Sequence, residues 1–556
     1  MSISRADAVS GKWMLLLLAA CFTIGLAGWG RLYNETDGQY SGAAKIMAHG
    51  GSWIVPENNG EPRLVKPPLL YWAMATGFKV FGIHEFAARL PNALALIFWV
   101  WITWQIGMRF GGSRVGFLSG GILLSFLGSA TLARIIMPEP IFAASVAAAV
   151  ACILEEARES RGRSGRWVLG FWLFSALACF SKGIHGLLYT VAIVGILAAI
   201  FPARRKALGV FLSLAGILLF LAILLPWHIA VEVHHPGFLR NLFFNEYLGH
   251  FLGQKITATG YTNVPRWQFL LLHLAWFFPW SFVALWMLFT RKGEKNPRPD
   301  AFISVTLGAW AVLVFLSVMF AGQRQDYYAM TLWPVAAIAM AAVINSAGLR
   351  RCAKFLAGFS LLLFAATLCT YWLVTHGDFG AASTAARSTA WRTVSGLDAG
   401  IWREILGRFL FAFPVAGICW LGAVWTERKS QSGVSPFLLI LGALVIQLAA
   451  VGGTASVAPY FSLANIAIPL NQTPSAELAY DGPLNTGSSL MFYYDGHIDF
   501  LVSDKQKALF SERWHGGVPM ALITETRLLP VWEKALGAAL QPEMKSGTQV
   551  LVRNRH

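Results

Sequence analysis

Arg204-Arg205-Lys206 runs directly into Ala207-Leu208-Gly209-Val210-Phe211-Leu212-Ser213-Leu214-Ala215-Gly216-Ile217-Leu218-Leu219-Phe220-Leu221-Ala222-Ile223-Leu224-Leu225. Three cations are followed by 19 uncharged, mostly aliphatic residues. About 20 such residues are what an α-helix needs to cross the ~30 Å hydrocarbon core of a bilayer. Cations crowded at one end hold that end on the cytoplasmic side. The stretch predicts a membrane-spanning helix with its N-terminal end inside.

The same alternation repeats on both sides of it. Windowed hydropathy predicts roughly 13 spans, near 13–30, 91–108, 115–133, 140–154, 167–181, 187–201, 207–225, 267–289, 301–320, 329–345, 355–375, 405–426 and 435–453. The first apolar stretch, Trp13 to Gly30, lacks a small-residue cleavage site and reads as an uncleaved first helix. Of the 556 residues 56% are hydrophobic and only 13% charged, too few to cover a soluble protein of this length. The 23 tryptophans fit a membrane interface.

A net charge of +16 would suggest nucleic acid in a soluble chain. Here the cations sit in short loops between spans: Arg109 and Arg114; Arg158, Arg161, Arg163 and Arg166; Arg204, Arg205 and Lys206; Arg291, Lys292, Lys295 and Arg298; Arg350, Arg351 and Lys354; Arg428 and Lys429. This is the positive-inside bias, so no nucleic-acid partner is expected. The loops alternate correctly with the N-terminus cytoplasmic and the C-terminus outside, which predicts a multi-pass inner-membrane protein with a periplasmic C-terminus. The outer loops carry nearly all the acids, histidines and tyrosines. Chemistry therefore belongs on the outer face, and no Walker-type phosphate loop occurs. Cys21, Cys152, Cys179, Cys352, Cys369 and Cys419 lie in spans or a cytoplasmic loop and lack metal-site spacing.

Two units follow: a transmembrane unit over 1–453, whose first outer loop covers 31–92, and a soluble α/β domain over 454–556. In the loop, Thr36 to His49 and Pro67 to Phe81 read as amphipathic helices lying in the interface. In the terminal domain Ser489 to Tyr494, Ile498 to Val502, Val518 to Ile523 and Thr548 to Val552 read as strands, with a helix over Leu529 to Leu540.

The first loop contains Glu35-Thr36-Asp37-Gly38-Gln39-Tyr40, then Lys66-Pro67-Pro68-Leu69-Leu70-Tyr71-Trp72, and closes on Phe86-Ala87-Ala88-Arg89-Leu90-Pro91. The acidic segment and its spacing to the Lys-Pro-Pro-Leu-Leu-Tyr-Trp run resemble the aminoarabinose-transferase branch of the polyprenyl-phosphate-sugar glycosyltransferases, relatives of the protein O-mannosyltransferases. The resemblance implies the multi-helix membrane fold called GT-C, with a small extracytoplasmic C-terminal domain. It also implies transfer of a sugar from a lipid phosphate.

Residue by residue, the family's acidic pair falls on Thr36 and Asp37, so Asp37 is the expected catalytic acid, with Glu35 next; the alternative is that Asp37 caps the following helix. Glu139, in Arg134-Ile135-Ile136-Met137-Pro138-Glu139-Pro140, matches the family's second acid, the alternative being an ion pair with Arg134. Lys66, Lys182 in Ser181-Lys182-Gly183, and Arg324 in Gln323-Arg324-Gln325-Asp326-Tyr327-Tyr328 are the expected phosphate-binding cations. Each alone would also serve as a snorkelling interfacial cation. Tyr40, Tyr71 and Tyr328 fall within the matched segments. Glu246-Tyr247-Leu248-Gly249-His250-Phe251 resembles a family acid followed by Arg-Phe, with His250 in the Arg position.

The expected reaction is inverting transfer from a polyprenyl (undecaprenyl) phosphate sugar to an envelope acceptor. Lipid A or a related glycolipid is the first reading of that acceptor and a protein hydroxyl the second. A transporter would need ionisable residues inside its spans, and these are nearly free of acids. No cofactor is required by this reading. A divalent cation held by His228, His234, His235 and His250 with Asp37 remains an alternative without metal-specific spacing.

Overall fold

Expected spans 91–108 and 115–133 form a helical hairpin. The computed structural model describes residues 5–158, 165–254, 263–290, 300–376, 397–429, 433–473 and 477–554; of the basic loops, Arg161, Arg163, Arg291, Lys292, Lys295 and Arg298 lie outside them. The helical stretch Glu85–Leu124 (α4) leaves helical geometry at Gly111 and Gly112, and Gly112 has φ 84°, open to glycine at no steric cost. The chain folds back there. A Cβ on Gly107 would meet Ser119 at 2.5 Å, and one on Gly120 would meet the Val100 carbonyl at 3.1 Å. Small residues let the two arms touch along their backbones.

Before α4 come the helices Arg5–Ala27 (α1), Thr36–Ala48 (α2) and Leu69–Phe81 (α3). After it come Glu139–Arg158 (α5), Arg166–Ser181 (α6), His185–Ile200 (α7), Leu214–His234 (α8), Arg266–Trp276 (α9), Trp280–Thr290 (α10), Ala301–Phe320 (α11), Trp333–Ala347 (α12), Leu349–His376 (α13), Ala399–Arg428 (α14) and Val434–Phe461 (α15). Among the described residues seven helices are long and apolar enough to cross a membrane, or up to nine if each bent pair is one span. The expected 13 also counts shorter apolar helices such as Arg166–Ser181.

The stretch that opened the reading is shifted. Pro202–Leu212 bends away from α7 by 117°, and Ser213 is extended at φ −59°, ψ 126°. The span therefore starts at Leu214, and Pro226 lies inside it. The expected span 267–289 is likewise bent, by 102° between α9 and α10. Tryptophans do more than mark the interface: Trp99, Trp280, Trp310, Trp333 and Trp420 are among the largest fully buried side chains. Two of them find buried acceptors for their indole N–H, Trp280 on Ser125 Oγ and Trp420 on the Leu439 carbonyl, both at 3.0 Å.

The last long helix, α15, continues past the expected boundary at 453/454 to Phe461. Beyond it lies a five-stranded sheet of Glu477–Tyr480 (β1), Asp499–Phe500 (β2), Met520–Glu525 (β3), Met544–Ser546 (β4) and Gln549–Arg553 (β5). In the order β2-β1-β3-β5-β4, β1 runs parallel to β2 and β3, and the remaining pairs are antiparallel. Ser489 to Tyr494, read from the sequence as a strand, is instead helical over Leu490–Tyr493. A four-to-six-residue apolar run fits either period, and here packing on α2 decides.

That packing also corrects the reading of α2 as an interfacial helix. Most of its residues are buried, including the polar Asp37, Gln39 and Lys45. A Cβ on Gly38 would overlap the Ser488 carbonyl group, and one on Gly42 would meet Met491 at 2.5 Å. Lys45 donates to the Phe492 and Tyr494 carbonyls, both at 2.9 Å, and pairs with Asp495 at 2.7 Å. The terminal sheet domain thus seals α2 from above.

Candidate functional site

Two helix ends meet in the candidate site. Lys182 is the C-cap of α6 and Glu139 the first residue of α5. Each charge is stabilised by the partial charge of its own helix end. Lys182 Nζ lies 3.2 Å from Glu139 Oε1, 4.4 Å from the centre of the Tyr328 ring and 5.4 Å from that of Phe142. The ion pair of Glu139 with Arg134, the alternative to its matching the second acid, does not form; Glu139 pairs with Lys182 instead. Glu139 is 5% exposed, and its Oε2 is buried with no hydrogen-bond partner among the described residues. A buried carboxylate oxygen left open is an acceptor waiting for a donor.

Lys182 faces a cavity of about 70 Å³ that also gathers Lys66, Glu246, His250 and Tyr328. Lys66 lies in the bend before α3, whose N-cap is Pro68. Glu246 and His250 come from the wound segment Leu242–Gly249 and the residue after it. His250 Nε2 and Tyr328 Oη are 2.8 Å apart. Five residues singled out for substrate or phosphate binding therefore converge, with Glu139 at their edge. The sequence reading missed His185 and Tyr247, which also line the cavity. The signal was there: His185 follows Lys182 by three residues. Gly183, at φ +135°, makes that turn, and a side chain on it would run into the Tyr247 ring at 2.6 Å.

Asp37 is elsewhere. It is 2% exposed; Oδ1 accepts from the Ile136 N–H at 2.7 Å and Oδ2 from the Tyr33 N–H at 3.0 Å. Burial pushes its carboxyl up from the ordinary range, against the pull of Arg89, the two amides and Arg134. Nor does it cap α2, whose N-cap is Glu35, exposed and at φ 64°, without a side-chain cap bond. Asp37 instead staples Tyr33 to Ile136, three residues ahead of Glu139. Each carboxylate oxygen accepts one backbone N–H, which fixes where the group points.

Three further expected site residues lie outside the lysine-lined cavity. Arg324 is 3% exposed and donates to the carbonyls of Val264, Val318, Met319 and Ala321 at 2.7–3.2 Å, so it ties loops together. Tyr40 and Tyr71 stack at 4.9 Å in the core beneath the sheet domain. Arg63 bonds the Tyr71 hydroxyl at 3.0 Å. Among the described residues no three His, Cys, Asp or Glu side chains converge as metal ligands do. His228 and His234 turn to the Leu224 and Ala230 carbonyls of their own helix.

Asp37→Asn sets an amide NH2 against a backbone N–H, whichever way it is turned. A mismatched buried donor costs about 1–3 kcal/mol. We expect a lower apparent melting temperature for the purified variant, read beside its transfer rate.

Comparison with known proteins bears on the family and the fold. The model of the family described as dolichyl-phosphate-mannose-protein mannosyltransferase matches residues 31–241. An undecaprenyl phosphate-alpha-4-amino-4-deoxy-L-arabinose arabinosyl transferase of Edwardsiella ictaluri is 26% identical over 341 residues, 61% of this chain and 60% of that protein. An uncharacterized protein of Aquifex aeolicus is 28% identical over 58% of this chain and 62% of its own length. The matched region thus spans about three fifths of these relatives. The crystal structure of ArnT from Cupriavidus metallidurans bound to undecaprenyl phosphate superposes with a TM-score of 0.77 at 18% identity, covering 98% of each chain. The chain has that fold, and it resembles the aminoarabinose transferases within the GT-C glycosyltransferases, as its first loop led us to expect.

Proposed function

We propose that this chain is an inverting glycosyltransferase that moves a sugar from a polyprenyl-phosphate carrier, such as undecaprenyl phosphate, to an envelope lipid acceptor at the periplasmic face of the inner membrane. The observation that carries the reading is the meeting of Lys66, Lys182, His250 and Tyr328 in one cavity at the mouth of the spans, with Glu139 at its edge. The names of the transferase relatives and the lipid phosphate in the crystal structure of similar fold support it.

In this reading the donor phosphate lies between Lys66 and Lys182. An acceptor oxygen attacks the anomeric carbon from the face opposite the phosphate. The bond from that carbon to the phosphate oxygen breaks, and the charge left on the phosphate is taken up by the lysines. Glu139 Oε2 accepts the acceptor's proton or orients it. If the acceptor is itself a phosphate, it is already ionised and only positioning is needed.

Mass spectrometry of envelope lipids from wild-type and deletion cells tests the reading. Loss of a pentose- or hexose-sized increment from lipid A or a related glycolipid is expected; unchanged lipids with loss of a protein-linked sugar would favour a protein acceptor, the second reading, which the mannosyltransferase family match supports. Because the lysines supply the charge, chelation with EDTA should leave the transfer rate within about twofold; a collapse restored by one divalent ion would overturn this. A reporter active only in the cytoplasm, fused after the last residue, should be silent.

A further inference from the structure

We propose that a second cavity, between the end of α1, the start of α4 and the end of α15, binds the phosphate headgroup of a membrane lipid, separately from the lysine-lined cavity. Its volume is about 280 Å³, and its lining includes Gly28, Gly30, Arg31, Glu85, Ala455 and Ala458. A smaller neighbour of about 50 Å³ shares Gly30, Arg31 and Ala455 and adds Asp37, Arg89 and Arg134. The small residues just after α1 and on α15 leave the room. α1 ends at Ala27 and α15 at Phe461, beside this cavity, so a lipid would reach it from the side with its chains in the bilayer.

Charge selects the occupant. Three arginines (Arg31, Arg89, Arg134) face two carboxylates (Asp37, Glu85), which leaves one positive charge, 3 − 2 = +1. The end of a helix would ordinarily repel an anion. Here the last carbonyls of α1 and those just after it are already taken: Arg89 donates to Ala27, Trp29, Gly30 and Arg31 at 2.7–3.3 Å, and Arg134 donates to Leu26 and Trp29. The crowding of cations shows in Arg134 itself, pushed down to about 10 by burial and then by Arg89. Arg408, near Trp29, is paired with Glu404 and leaves the balance unchanged.

Arg31 is the group that meets the ligand. Its side chain is 47% exposed, and Nη1 holds Glu85 Oε1 at 2.9 Å. Glu85 Oε1 also accepts from the Tyr493 hydroxyl at 3.0 Å, so the carboxylate is anchored from the other side. A guanidinium fork fixed by one nitrogen presents the others to a phosphate in the bidentate geometry it favours.

The test measures binding to the purified full-length protein in detergent, using dihexanoyl phosphatidate, dihexanoyl phosphatidylcholine and inorganic phosphate as probes. Phosphatidate should bind wild type, and Arg31→Gln should weaken it about 10- to 150-fold, the worth of one charge-assisted bond. Arg31→Lys should recover part of this. Glu85→Gln, which raises the local charge, should tighten binding instead, so an unfolded variant cannot imitate the pattern. Lys182→Met should leave phosphatidate binding unchanged. An acceptor KM raised by Arg31→Gln would name the acceptor as the lipid; an unchanged KM would name a bulk phospholipid. Phosphatidate affinity within twofold of wild type in Arg31→Gln would overturn the proposal, as would its loss in Lys182→Met alone. Inorganic phosphate or phosphatidylcholine binding as tightly as phosphatidate would also overturn it.

Discussion

Lys182→Met should lower transfer at subsaturating donor by at least 10- to 150-fold. A charge-assisted contact to phosphate is worth about 1.5–3 kcal/mol, which converts to that range. The substitution does more than remove the contact. Glu139, 5% exposed, loses the cation that holds Oε1 at 3.2 Å, and a buried carboxylate left without its partner is destabilising. The donor KM and kcat should therefore both move. Lys66→Ala should act mainly on the donor KM, because the cation held against Glu139 at 3.2 Å is Lys182. The pair Lys182→Met with Glu139→Gln should recover part of what Lys182→Met alone loses in stability, since the orphaned charge is gone. A donor KM and kcat within twofold of wild type in Lys182→Met would remove the cavity from the reaction.

Gly38→Val should cost more than any single cavity residue. A Cβ at Gly38 falls on the Ser488 carbonyl group, and backbone cannot step aside as a flexible side chain does. Overpacking a buried site typically costs 1–3 kcal/mol, occasionally more, and a clash with backbone lies at or above about 3 kcal/mol. Separation of α2 from the sheet domain would strip Lys45 of two carbonyls and Asp495 together. The expected readout is loss of transfer, with new protease cleavage between α15 and the sheet domain. Gly60→Ala, whose added Cβ has nothing within 4 Å, is a control for a mild backbone effect at φ +83°. Wild-type cleavage and activity in Gly38→Val would show that the seal over α2 is dispensable.

The cavity residues were legible because Lys66, Lys182, Glu139, His250 and Tyr328 are charged or polar side chains at the ends of apolar runs, where placement follows from topology alone. Asp37 and Arg324 had the same appearance in the sequence, and both are buried by backbone partners far along the chain. Residue type gives a charge but not what it will meet: Asp37 meets the Ile136 N–H, and Arg324 meets four carbonyls. The pair of arms joined at Gly111-Gly112 was readable from two apolar runs and a basic turn. The shift of the seventh span to Leu214 was not, because Pro202 and Ser213 act on backbone geometry while hydropathy averages over it. The segment Ser489 to Tyr494 failed for a third reason. Its apolar run carries no period of its own, and the helix forms against α2, which lies some 450 residues earlier.

That distance has a consequence in time. Lys45 and Asp495 are separated by 450 positions, and synthesis proceeds at about 5–20 residues per second. The loop over 31–92 therefore waits roughly 20–90 s after its own emergence for the residues that cover it. During that interval a lysine destined for burial, and glycines shaped for a neighbour not yet made, stand open to water and to other chains. The loop nearest the start of the sequence is in this way among the last parts of the protein to be finished, and the half-made chain cannot act before its final domain has closed over it.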